Sequence, residues 1–196
     1  DENDVLYISG SNLNGGGVLM FDVSNPTAPS YIGQTPAIYA HDCYARGDTL
    51  WTADINAGKF SVYDITNKSA PVFLAEQATP SNFTHNLWIS DDGRTLYTTD
   101  ERADAWVAAY DVSDLANIEE IARYRSRGAA ETGVIPHNVH VRNDFLITAY
   151  YTDGLIINDG RRPHNLVEVG RYDTYPPQRV GFFGVWGVYP YFADGT

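Results

Sequence analysis

Cysteine is nearly missing from this chain. Cys43 stands alone among 196 residues, so no internal disulfide can hold the fold. Set between Asp42 and Tyr44 on a predicted strand, it reads as a shielded, unreactive thiol. Cations are sparse too. The 13 Lys and Arg face 25 Asp and Glu, for a formal charge of −12. Phosphate binding needs clustered Lys and Arg, and these are scattered, which argues against a nucleic acid partner. No apolar run approaches the roughly 18 to 20 residues of a membrane-crossing helix. No leader-like stretch precedes Val5-Leu6-Tyr7-Ile8-Ser9, the start expected of a processed or truncated chain. Gly-x-Ser-x-Gly is absent, so no Ser-His-Asp arrangement can be assigned. The glycine-rich Asn12-Leu13-Asn14-Gly15-Gly16-Gly17 is followed by neither a helix nor Lys-Ser/Thr, which argues against a phosphate cradle.

Aromatic residues make up 13% of the chain, and 17 Gly and 10 Pro are spread along it. That mixture suits many short strands and predicts an all-β fold with one core. Residues 83–122 hold one complete unit. Thr84-His85-Asn86-Leu87-Trp88-Ile89 turns at Asp91-Asp92-Gly93 into Thr95-Leu96-Tyr97-Thr98-Thr99. Trp106-Val107-Ala108-Ala109-Tyr110-Asp111 and Ile118-Glu119-Glu120-Ile121-Ala122 follow. Four β-rich runs parted by turn residues read as a four-stranded antiparallel sheet.

The unit repeats. Phe21-Asp22, Tyr63-Asp64, Tyr110-Asp111 and Asn158-Asp159 align, and a small residue follows each Asp at a fixed offset (22 to 33, 64 to 75, 111 to 122, 159 to 170). Gly33, Ala75, Ala122 and Gly170 are expected to end the fourth strands. Periods of 40 to 50 residues imply a β-propeller built of four-stranded blades. Asp22, Asp64, Asp111 and Asp159 are expected to accept hydrogen bonds from the following turn, a structural role, with Pro26, Pro29, Pro71 and Pro163 shaping that turn. The region 1–196 divides into a partial first blade (5–33), three whole blades (37–78, 80–124, 133–172) and the opening strand of a further blade (181–196), Trp186 to Phe192. Loops at 126–133 and 176–178 connect blades. A part of a larger ring, such as a seven-bladed one, fits better than a closed ring of four.

A second marker opens each unit: His41-Asp42, His85-Asn86 and His137-Asn138. With the repeats, the segments Gly17-Val18-Leu19-Met20-Phe21-Asp22-Val23-Ser24-Asn25-Pro26, Phe83-Thr84-His85-Asn86-Leu87-Trp88, Val107-Ala108-Ala109-Tyr110-Asp111-Val112-Ser113 and Pro136-His137-Asn138-Val139 resemble the LVIVD-repeat proteins, specifically the choice-of-anchor B β-propellers. The resemblance spans nearly the whole chain. It implies a bacterial, extracellular or cell-surface protein whose longer relatives carry more blades and a C-terminal anchoring segment, which these residues do not include. It implies no particular chemistry. Asn158 departs from the pattern, as does Trp186-Gly187 where a histidine pair is expected.

First strands of propeller blades face the axial channel. His41, His85 and His137 are therefore expected near one mouth, with Asp42, Asn86 and Asn138 beside them and His140 on the opposite side of its strand from His137. Imidazoles suit Zn, Cu, Fe or Ni, and Asp100 or Glu101 could add a carboxylate or hold Ca²⁺. The alternative, and the leading one of the two, is that each histidine pins its blade to the next. Tyr150-Tyr151 and Tyr189-Pro190-Tyr191 read mainly as strand packing. The leading function is a binding or scaffolding module with a loop-lined face for a protein or carbohydrate partner and room for a structural ion. The alternative is a metal-dependent enzyme with the three histidines as ligands.

Overall fold

The computed structural model describes residues 4–126, 132–175 and 181–192. Fifteen strands and one short 3-10 turn (Asn14–Gly16) follow one another. Sheet 1 holds β1 (Val5–Ile8), β2 (Leu19–Asp22) and β3 (Ser30–Gln34). Sheet 2 holds β4 (Asp42–Arg46), β5 (Thr49–Asp54), β6 (Lys59–Asp64) and β7 (Val72–Ala78). Sheet 3 holds β8 (Thr84–Ile89), β9 (Thr95–Asp100), β10 (Val107–Asp111) and β11 (Glu119–Tyr124). Sheet 4 holds β12 (Val139–Arg142), β13 (Phe145–Ala149), β14 (Leu155–Asp159) and β15 (Val167–Tyr172). Every pairing is antiparallel between sequence neighbours, the pattern of propeller blades. Apolar clusters join sheets 1 and 2, 2 and 3, and 3 and 4, and among the described residues none packs sheet 1 on sheet 4, so the ring is not closed.

Blades are held face to face by apolar side chains. Met20, Leu50, Tyr63 and Ile65 pack between sheets 1 and 2. Phe60, Leu87, Leu96 and Tyr110 pack between sheets 2 and 3, and Tyr97, Val139, Leu146 and Ile156 between sheets 3 and 4. The middle strands are buried on both faces, since each blade is covered on two sides. Burying one such aliphatic side chain contributes roughly 1.5–3 kcal/mol. Outer strands carry the exposure, with Val72, Phe73 and Leu74 at 58%, 50% and 44%.

The two repeated markers have separate causes. Asp22, Asp64, Asp111 and Asp159 each accept the backbone N–H two residues on, at 2.8, 2.7, 2.9 and 3.0 Å. The side chains of Ser24, Thr66, Ser113 and Arg161 first, and these backbone bonds second, hold the four carboxyls below the usual carboxylate range, Asp159 at about 2. The small residues do not end their strands. Each lies within its strand, just past a β-bulge: Gly33 pairs with Met20, Ala75 with Val62, Ala122 with Ala109 and Gly170 with Ile157, and the residue before each is skipped by the ladder. A bulge twists the outer strand and carries one side chain out of register.

The opening strand expected after 181 does not form. Residues 181–192 make an isolated bridge, Tyr151 to Val185, and residues 193–196 lie outside the described ones, as do 127–131 and 176–180 of the two connecting loops. A first strand needs a second strand to pair with, and none follows within the described residues. The segment nevertheless takes a first strand's place. Arg46 donates to the carbonyls of Ser90 and Asp91 in the next blade at 2.8 and 2.6 Å. Arg142, at the matching position of β12, donates in the same way to the carbonyls of Pro190 and Phe192.

Candidate metal centre

The inner strands bring the three histidines together. The ring centroids of His41 and His85 are 4.1 Å apart, and those of His85 and His137 are 4.3 Å apart. The ladder between β8 and β9 steps from Thr84 to Asn86, so His85 is a bulged residue freed from pairing and aimed inward. His41 and His137 are fixed by their backbone N–H groups on Ala53 and Ala149, at 2.8 and 2.9 Å. Each outer histidine also ties its blade to the following segment. His41 Nδ1 lies 3.3 Å from the His85 carbonyl, and His137 Nδ1 bonds the Trp186 carbonyl. The pinning contact therefore exists for His41 and His137, through Nδ1, but not for His85, whose buried Nδ1 has no hydrogen-bond partner among the described residues.

Glu101 bridges the Nε2 edges of the two neighbouring imidazoles. It follows β9 directly, and its Oε2 is 3.4 Å from His85 Nε2 while its Oε1 is 3.5 Å from His137 Nε2. Within this trio, one donor atom from each residue lies within 4.8 Å of the others. His41 lines the same cavity of about 340 Å³, with Asp42, Asn138 and Trp186, but stands outside that trio. Burial, reinforced by His137 and His41, pushes the His85 imidazole down to about 3. Burial also lowers His137, against the opposing pull of the Trp186 carbonyl and Glu101. Both rings are held neutral, the form that ligates metals.

A carbonyl only accepts, so His137 Nδ1 must carry the proton that bonds Trp186. In the neutral ring Nε2 then presents a lone pair, and it faces the oxygen of a carboxylate. Two acceptors face each other with no hydrogen between them. A cation resolves that arrangement. For bonds of roughly 2.0–2.1 Å to a tetrahedral ion, neighbouring donors sit about 3.3 Å apart; the two separations of 3.4 and 3.5 Å run to different oxygens of Glu101, and a single ion would draw the trio, whose donor atoms lie within 4.8 Å of one another, closer together.

Asp100 does not belong to this centre. Its side chain turns back under the loop leading into β8 and accepts Thr79 Oγ1 at 2.6 Å, Ser81 N at 2.7 Å and Phe83 N at 3.1 Å. It is fully buried and bound to its own blade. Asp42 is also committed, accepting Asn86 Nδ2 and Cys43 N at 2.7 Å each. His140 lies away from the trio, its ring tilted by 58° against Trp88 at 4.5 Å and edge-on to Tyr191 at 5.8 Å. Burial pushes the Cys43 thiol up to about 12, so it stays protonated and inert. Asn158 stands where other blades place Tyr63 and Tyr110, and neither atom of its buried amide has a partner among the described residues.

One participant escaped sequence reasoning. The Tyr151 hydroxyl donates to Glu101 Oε1 at 2.5 Å, and its ring lies 4.8 Å from that of His137. The signal was positional. Ile55, Glu101 and Tyr151 occupy matching places just past the second strands of their blades, beside the histidines.

Comparison with known proteins gives the fold a wider setting. An LVIVD repeat model matches residues 12–35, which span β2 and β3. The chain carries an LVIVD repeat. Its fold is similar to that of a Lactobacillus plantarum protein (TM-score 0.74, 12% identity, 89% of this chain and 55% of that one). It is also similar to a Pseudomonas aeruginosa periplasmic gluconolactonase (TM-score 0.69, 18% identity, 88% and 55%). This propeller chain spans about half the length of those structures. No curated protein matches the sequence. Among the described residues no helix is long and apolar enough to cross a membrane.

Proposed function

We propose that this LVIVD propeller is a binding module whose inner mouth holds a divalent transition metal through His85, His137 and Glu101. The observation that carries the reading is the His137 imidazole. Its Nδ1 is spent on the Trp186 carbonyl and its Nε2 faces a carboxylate oxygen at 3.5 Å. An outer hydrogen bond that fixes the tautomer and leaves Nε2 free is the usual setting of a ligating histidine. Two imidazoles favour Zn, Cu, Fe or Ni over Ca²⁺, which takes oxygen ligands. The net charge of −12 favours cations in general. An extracellular or cell-surface setting, with a protein or carbohydrate partner on the loop-lined face, belongs to the same reading.

Elemental analysis of protein purified without chelators tests it. One equivalent of a transition metal is expected, falling to near zero in His85→Ala and Glu101→Gln. Retention of the metal in both variants would move the site elsewhere.

A second reading comes from the gluconolactonase of similar fold. Glu101 between two imidazoles could relay a proton during metal-free hydrolysis of a sugar lactone. Turnover of gluconolactone that persists in excess chelator would favour it over the metal site.

A further inference from the structure

We propose that this metal site is coordinatively open, that its free position takes a small anion from the adjoining cavity, and that Tyr151 is the positioning residue that keeps it open. The inference rests on the metal reading above and adds what the metal does there.

The donors supply the first step. Three protein ligands leave a tetrahedral ion one position short, the condition of reactive rather than structural sites. The neighbouring polar groups do not fill it. His41 stands outside the trio, and the Asp42 carboxylate is occupied by Asn86 and Cys43. What borders the cavity instead is Asn138, whose buried Oδ1 has no hydrogen-bond partner among the described residues, and the exposed Trp186.

Tyr151 supplies the second step. Its hydroxyl donates to Oε1 of Glu101, the oxygen 3.5 Å from His137 Nε2, so Oε2, 3.4 Å from His85 Nε2, is the stronger remaining donor of that carboxylate. An oxygen that already accepts the phenol is the weaker donor, which biases the carboxylate toward binding through Oε2 alone instead of chelating.

The backbone around Tyr151 is built to hold it. Tyr151 has φ of 41°, a left-handed conformation unusual for a bulky residue and strained unless its surroundings hold it. Two hydrogen bonds of 3.0 Å to Val185 clamp it there, and they also place the adjoining Trp186 carbonyl on His137. Gly184 makes the approach possible, because a Cβ there would lie 2.5 Å from the Tyr151 carbonyl oxygen. One strained residue thus sets both Glu101 and, through the bridge, the tautomer of His137.

Cobalt loading reads the site directly. The chelator-treated full chain, reloaded with Co²⁺, is expected to bind one equivalent and to show a visible absorption band that azide shifts in a saturable way. In Tyr151→Phe the cobalt should stay bound, the band should change as Glu101 chelates, and azide affinity should fall by roughly tenfold or more. An azide titration that leaves the wild-type band untouched, or a Tyr151→Phe protein identical to wild type in band and azide affinity, overturns this inference and leaves the metal site standing. Failure of the wild type to bind cobalt overturns both. The wild-type titration decides openness even if the variant does not fold.

Discussion

The side-chain amide of Asn86 donates to Asp42 in the preceding blade at 2.7 Å, while its oxygen accepts Val139 N of the following blade at 2.8 Å. One residue thus ties three blades together directly beneath the histidines. Replacing it with leucine, of similar size, would leave the buried Val139 N–H and part of the Asp42 carboxylate unsatisfied. At roughly 1–3 kcal/mol for each of the two orphaned groups, Asn86→Leu should cost about 2–6 kcal/mol. Urea unfolding is expected to show a lower midpoint at unchanged slope. A change under about 0.5 kcal/mol, ordinary for an unimportant position, would mean that the bridge carries no weight.

Gly33 and Gly170 share a place in the repeat but not a reason for being small. A Cβ on Gly33 would overlap the Lys68 carbonyl oxygen and sit 2.8 Å from Ser69 Cα, backbone atoms of the next blade that cannot step aside. A Cβ on Gly170 would meet only the Ile157 side chain, at 3.5 Å or more. Gly33→Ala should therefore lose about 1–3 kcal/mol by overpacking. Gly170→Ala should be neutral or gain up to about 1 kcal/mol from a stiffer unfolded chain. Thermal unfolding of the two variants side by side checks this, and equal losses would refute the blade-contact explanation.

What the sequence made legible was local or periodic. The turn aspartates announce themselves because each bonds a backbone group two residues away, and the antiparallel units show in runs of β-formers between turns. The convergence of His41, His85 and His137 followed from the repeat alone. The choice between Asp100 and Glu101 did not, because neighbours at a strand end face opposite ways and only the packed blade shows which way is inward. Tyr151 was hidden for another reason. A tyrosine in an aromatic-rich strand looks like packing until its hydroxyl is seen against a carboxylate from another blade. Trp186 to Phe192 reads as a strand by composition, yet a ladder needs a partner that composition cannot supply.

Asp54 is the counterpart of Asp100 in the second blade, with a different set of partners. Its buried carboxylate accepts the hydroxyls of Thr52 and Ser61 at 2.8 and 2.6 Å, whereas Asp100 also accepts two backbone N–H groups. Burial raises its pKa, and the two hydroxyls and Lys59 only partly offset that. A carboxyl whose pKa is higher in the folded state keeps its proton where the unfolded chain has lost it. Its contribution to stability is full below the unfolded value of roughly 4 and declines as the pH rises through the folded value. Asparagine keeps the shape without the charge, so Asp54→Asn should gain stability relative to wild type as the pH goes from 4 to 7. Urea unfolding of both proteins at the two pH values measures the difference. An equal gap at both would mean that Asp54 ionises as readily inside the blade as in water, and the buried carboxyl would then need a counter-charge that its two hydroxyl partners cannot provide.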